Sequence, residues 1–243
     1  MKSFILALQL LTIVTLKPTL APSPELVAAS RRWFALVGAG VGAVVALVAV
    51  ISGALLPPLA AGVLSVGAWE GLSRFLHLDG LMDSADGLIP PVEPSRAVEI
   101  MRDVHVGAFG VGAAILVMGF KFAAMAALIS ASRAWALVGV AAAARGAAAV
   151  LAGLLGPSPA RQGLGAAVAG PAKGAAAINI VVAALALAPA GMQGLAAGVL
   201  ALVSTVILGA FFRFRLGGIT GDCLGATIEL VEAAALGALA AGA

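Results

Sequence analysis

The run His77-Leu78-Asp79-Gly80-Leu81-Met82-Asp83-Ser84-Ala85-Asp86-Gly87 carries three aspartates at i, i+4 and i+7. On a helix at 100° per residue they fall within about 60° of one another. Like charges on one face repel, and most of the residues between them are apolar. A divalent cation is the simplest counter-charge. Carboxylate oxygens without thiolates or several histidines suit Mg2+, Mn2+ or Ca2+. Mg2+ takes one or two carboxylates, keeps waters and binds substrate phosphate. The plainer alternative is a solvated acidic face.

A second group lies far along the chain, from Gly217 through Thr220-Gly221-Asp222-Cys223-Leu224-Gly225 to Glu229. Its glycines allow a tight turn and close backbone approach to a ligand. Asp222 stands where a helix would begin, so a plain N-cap is the competing role. Glu229 is two turns deeper, about 10 Å along the axis and on the same face. Asp79, Asp83, Asp86, Asp222 and Glu229 are the candidate metal ligands. A carboxylate as deep as Glu229 needs a partner in lipid. Lys121 and Arg145 are the available buried cations, so a structural ion pair is its alternative. The planar fork of Arg145 suits phosphate. Lys121 is a second phosphate candidate, unless it snorkels outward. His77 and His105 flank the acidic stretch, and either could act as base or ligand. Pro94-Ser95 predicts a short helix over Ser95 to Val104, with Arg96 and Asp103 on one face.

These residues sit in a chain of 243, of which 62% are hydrophobic and only 10% charged. An ordinary soluble domain carries about 25% charged residues. Disorder is excluded, because it needs low hydrophobicity and high charge. A soluble globule is excluded too, because too little polar surface remains to cover the core. The single cysteine, Cys223, excludes a disulfide framework and a cysteine zinc site. The net charge of +3 forms no basic stripe, which argues against nucleic acid. The remaining class is an all-α polytopic membrane bundle, a single integral domain over residues 1–243.

A membrane-crossing helix needs about 20 apolar residues. Seven runs qualify or come close: Trp33 to Gly53, Leu59 to Leu78, Gly107 to Ile129, Ala134 to Leu155, Ala175 to Ala190, Leu195 to Phe212 and Cys223 to Ala243. No period-two alternation supports a barrel. The first 16 residues are apolar but end in Lys17-Pro18, which predicts a half-span or interfacial helix rather than a cleaved leader. With the N-terminus inside, the inner segments collect nearly all the basic residues and the outer ones only Arg133. Basic residues favour cytoplasmic loops. Both acidic groups then lie at the cytoplasmic edge.

At this point the order of motifs closely resembles the cobalamin synthase family. The resemblance rests on His77 to Gly87, on Glu99-Ile100-Met101-Arg102-Asp103, on Gly107-Ala108-Phe109-Gly110, and on Thr220 to Ala226 with Glu229 and Glu232. Arg161-Gln162-Gly163-Leu164-Gly165 is similar to the family's central element, one residue shorter. Lys121 and Arg145 fall where the family tends to carry a lysine and an arginine. Arg74-Phe75 depart from the pattern, standing where a small, glycine-rich pair is usual.

The resemblance implies a multi-pass enzyme of the bacterial inner membrane that uses Mg2+ and faces the cytoplasm. It implies joining adenosylcobinamide-GDP to α-ribazole, or its 5′-phosphate, with release of GMP. An oxygen nucleophile attacks the phosphorus attached to cobinamide. Such transfer needs positioning and charge neutralisation more than covalent help. Asp79, Asp83, Asp86 and Asp222 would hold Mg2+ on the diphosphate, and Asp83 or Asp86 would take a hydroxyl proton. Arg145, Arg161, Lys121, His77 and Asp103 are the substrate-side candidates. The expected partners are these small molecules and membrane lipid; whether the chain forms a homo-oligomer stays open. The competing classes are a CDP-alcohol-type membrane phosphotransferase and a cation-coupled transporter.

Overall fold

The computed structural model describes residues 1–16, 22–159, 168–170, 172 and 174–243. Lys17, Lys173 and the Arg161-to-Gly165 element lie outside the described residues. Among those described the fold is helical throughout, with one isolated bridge between Pro157 and Ile219.

The helices are α1 (Lys2–Leu11), α2 (Pro24–Ser30), α3 (Phe34–Leu55), α4 (Pro58–Leu72), α5 (Leu76–Leu88), α6 (Pro94–Ile100), α7 (Ala108–Ser130), α8 (Leu137–Leu154), α9 (Ala175–Leu187), α10 (Gly191–Leu216) and α11 (Gly221–Ala240). Five stretches are long and apolar enough to cross a membrane: Pro24–Leu55, Ala108–Ser130, Ala134–Leu154, Ala175–Leu216 and Gly221–Ala240. The chain is thus a polytopic helical membrane bundle. Exposed Leu47, Val50, Ile115, Leu116, Leu202 and Val206 form its lipid-facing exterior, while α8 is the most enclosed of these helices, nearly all its residues being buried.

Hydrogen bonds sort the helix ends into two groups. At one end Arg133 donates to Gly242 O at 2.8 Å and to Gln193 Oε1 at 3.2 Å. That gathers the α7–α8 turn, the start of α10 and the C-terminus. At the other end Ile219 N–H donates to Gly156 O and Ser158 N–H to Ile219 O, each at 3.0 Å. There the exits of α8 and α10 meet the start of α11. The Asn179 side chain, near the start of α9, donates to Arg31 O at 2.9 Å and accepts from Ala35 N–H at 2.7 Å. So α9 begins beside the start of α3, and the Ala175–Leu216 stretch turns back at Gly191 into two legs.

Two expected boundaries differ. The second apolar run does not continue to Leu78. Helix α4 stops at Leu72, and Arg74 and Phe75 both take left-handed backbone at φ 57°. That conformation costs a non-glycine residue about 1 kcal/mol, which gives a physical reason for a glycine-rich pair there. Here the bend is braced: Phe75 N–H donates to Glu70 O at 2.9 Å and Arg74 Nη2 to Gln9 O at 3.1 Å. Ile13 N–H donates to Leu72 O at 2.7 Å, tying the N-terminal segment to the same bend. The second difference is α6, which ends at Ile100 rather than Val104. Asp103 therefore lies beyond the helix, not on one face with Arg96; Arg96 pairs instead with Glu99 at 2.9 Å.

Candidate active site

Helix α5 restarts the chain after the bend, and the three aspartates fall within its single run of helix. Asp79 is exposed; Asp83 and Asp86 are half-buried. The neighbouring face of α5 packs on the first turns of α11. A Cβ on Gly80 would come within 2.8 Å of Asp222 O, and one on Gly225 within 3.0 Å of His77 O. Only glycine lets the two backbones approach so closely. The contact sets Asp222, at the second residue of α11 and half-buried, beside the segment bearing Asp79 and Asp83. The two acidic segments, far apart in sequence, thus pack backbone to backbone at one end of the bundle. The N-cap role considered for Asp222 belongs to its neighbour: the Thr220 hydroxyl accepts from Cys223 N–H at 3.3 Å.

Asp86 has a role that its spacing on α5 does not predict. Its Oδ2 accepts from Gly107 N–H at 2.7 Å and its Oδ1 from Gly110 N–H at 2.8 Å. Gly107 is the N-cap of α7 and has no side chain to satisfy the orphan amides of the first turn. Asp86 supplies that cap from α5, and its charge complements the helix dipole. A Cβ on Gly110 would lie 2.4 Å from Asp86 Oδ2, so the capping also requires glycine at that position. The missed signal was a glycine-started helix with no capping side chain of its own.

Three expected roles need correction. Glu229 is 1% exposed and its Oε2 accepts from Lys121 Nζ at 2.8 Å. Its charge is met by that lysine, and it lies about 10 Å along α11 from Asp222, so it is no ligand of the α5 cluster. Lys121 does not snorkel. It is wholly buried, and its ammonium also donates to Glu70 Oε1 at 2.7 Å and Glu232 Oε2 at 2.6 Å. Arg145, also wholly buried, donates from Nη1 to Glu232 Oε1. Neither cation faces an open phosphate site. Trp69 Nε1 completes the group with a 2.8 Å bond to Glu232 Oε1. Four helices, α4, α7, α8 and α11, meet at this ionic cluster. Lys121 Nζ occupies the space among three carboxylates where a metal would otherwise fit.

His77 is 4% exposed and buried against α11, with Nδ1 unpaired among the described residues. Asp103 and His105 are both exposed, and Asp103 Oδ1 accepts from His105 N–H at 3.0 Å. That amide, then the His105 ring, holds the Asp103 carboxyl below its ordinary value. Arg161 lies outside the described residues.

Asp79, Asp83 and Asp222 bring carboxylates to the α5–α11 contact, alongside the buried His77 ring and Cys223 thiol. Hard carboxylate oxygens suit a hard divalent cation of the Mg2+ type. Among the described residues, the acids grouped closely enough to share one ion are Glu70, Glu229 and Glu232, not these.

The family model for cobalamin-5-phosphate synthase matches residues 3–240. The adenosylcobinamide-GDP ribazoletransferase of Pseudomonas paraeruginosa (strain DSM 24068 / PA7) is 38% identical over 243 residues, covering 99% of this chain and 98% of its own. The protein of that name from Thiobacillus denitrificans (strain ATCC 25259 / T1) is 38% identical, covering 97% and 94%. That from Roseiflexus sp. (strain RS-1) is 36% identical, covering 96% and 87%. No solved structure matches. A match spanning nearly the whole chain, with relatives well above 30% identity, places this chain in the cobalamin-5-phosphate synthase family.

Proposed function

We propose that this chain is an Mg2+-dependent transferase joining adenosylcobinamide-GDP to α-ribazole, or its 5′-phosphate, with release of GMP. What carries the reading is the Gly80–Asp222 contact, by which the face of α5 next to its aspartates packs on the first turn of α11. The names of the relatives supply the substrate class.

Asp79, Asp83 and Asp222 would hold the metal ion. Bound there, Mg2+ would neutralise diphosphate oxygens and ease departure of GMP. Asp86 keeps the start of α7 against α5 and so fixes the wall of the site. Asp83, half-buried beside Asp86, takes the proton of the attacking hydroxyl. The new bond joins the ribazole oxygen to the phosphorus on cobinamide. The bond that breaks links that phosphorus to the GMP oxygen. The helix ends carrying this site also carry Arg31, Arg32, Arg96, Arg213 and Arg215, whereas Arg133 is at the other end. By the positive-inside rule the site faces the cytoplasm, across a bacterial inner membrane.

The test is purified protein in detergent with both substrates, with and without Mg2+, scoring GMP. The expected result is GMP release that needs the metal. Turnover of a CDP-alcohol donor with no GMP formed would favour a membrane alcohol phosphotransferase. Neither activity under any divalent metal would sink the reading.

A further inference from the structure

The Glu70–Lys121–Glu229–Glu232–Arg145 cluster has no part in the proposed transfer. Each of its members is buried to 1% exposure or less. The groups facing it come from five helices: Trp69 and Glu70 from α4, His77 from α5, Lys121 from α7, Arg145 from α8, and Glu229 and Glu232 from α11. Helix α3 brings only backbone at Gly38 against Arg145 and has no ionisable residue between Phe34 and Leu55. Three carboxylates thus face two cations, which leaves one negative charge over. An unmatched charge buried in an apolar bundle is strongly disfavoured and neutralises instead.

The geometry shows room for the missing charge. Glu70 Oε1 is taken by Lys121, but Glu70 Oε2 is buried with no hydrogen-bond partner among the described residues. Arg145 Nε and Nη2 are also buried and unpartnered. The cluster therefore accommodates more than its own side chains satisfy. We infer that it is an internal proton site, in which one of Glu70, Glu229 and Glu232 carries a proton about two turns below Asp222. The proton comes from a hydronium ion of the surrounding water: one O–H bond of hydronium breaks, leaving water, and one O–H bond forms on a carboxylate. The inference does not depend on which substrates the enzyme joins.

Infrared spectroscopy of the full chain in lipid nanodiscs at neutral pH tests it. The expected spectrum has the carbonyl band of a protonated carboxylic acid, shifting in D2O. Each of Glu70→Gln, Glu229→Gln and Glu232→Gln leaves two carboxylates against two cations and should abolish that band. The variant at the position that carries the proton should keep the wild-type thermal midpoint, because glutamine mimics the neutral acid, while the other two should fall. Absence of the band in the wild type, or its survival in any of the three variants, would overturn the inference. So would a midpoint raised by sodium or potassium at constant ionic strength, since a metal cation would then fill the site. The wild-type band and the salt comparison require no variant to fold.

Discussion

Gly80 of α5 lies against the backbone of Asp222 of α11, so close that a Cβ would stand 2.8 Å from the Asp222 carbonyl oxygen. A backbone atom cannot swing aside as a flexible side chain can. Gly80→Val should therefore push α5 off α11 at a cost of about 1–3 kcal/mol. GMP release should fall at least tenfold. Gly112→Ala, where a Cβ meets nothing within 4 Å, is the control. Thermal midpoints and GMP release on the two variants decide the matter; equal activity would show that the close contact does not position the site.

Asp83→Asn and Asp222→Asn should each abolish turnover while the protein still inserts. Both carboxylates are half-buried at the contact, and the amide offers a metal less charge. Chelation of divalent ions should silence the wild type reversibly, with Mg2+ restoring it. Near-normal rates in both variants would remove the metal assignment.

Asp86→Asn should behave differently. The amide oxygen can still accept one of the two α7 amides, but the charge at the helix start is lost. A stability loss of about 1 kcal/mol is expected, with a smaller loss of turnover than in Asp83→Asn. Asp86→Ala, which uncaps both Gly107 and Gly110, should lose more stability. Denaturation midpoints alongside initial rates separate the capping role from a metal-binding one.

Lys121→Met should cost about 3–5 kcal/mol, because it strands three buried carboxylates that share one ammonium. Trp69→Phe removes only one hydrogen bond to Glu232, worth about 1 kcal/mol. Unfolding of the two variants in mixed micelles should rank them in that order by a wide margin.

The Asp103 carboxyl is held below its ordinary value by the His105 amide. A depressed value means that the folded loop is favoured above the ordinary aspartate range and loses that support as pH falls through the lowered value. NMR of the His105 amide should show one acid transition, absent in Asp103→Asn. An unchanged transition in the variant would place its origin elsewhere.

Much of the placement of the candidate residues was legible because each group obeys a local rule. Asp79, Asp83 and Asp86 share a face by helical spacing alone, and Thr220-Gly221-Asp222 marks a helix start by its residue types. Hydropathy located the long helices, but not the short α2, nor where α4 yields to α5, nor where α6 ends. The α4 boundary was hidden because Arg74 and Phe75 carry no mark of left-handed backbone; only bonds to Glu70 and Gln9 hold them there. The need of Glu229 for a buried cation could be read from depth in the membrane. That Glu70, Glu232 and Trp69 join the same ammonium could not, since α4, α7 and α11 are far apart in sequence.

By itself the sequence determined a membrane bundle with two acidic segments, since composition, period and charge placement are properties of single helices. Tertiary packing alone decided which acids could serve a metal. Close approach at Gly80 gave Asp222 to α5, the unsatisfied start of α7 claimed Asp86, and burial beside Lys121 withdrew Glu229. Each outcome turns on what surrounds a carboxylate in space, and no local pattern encodes that.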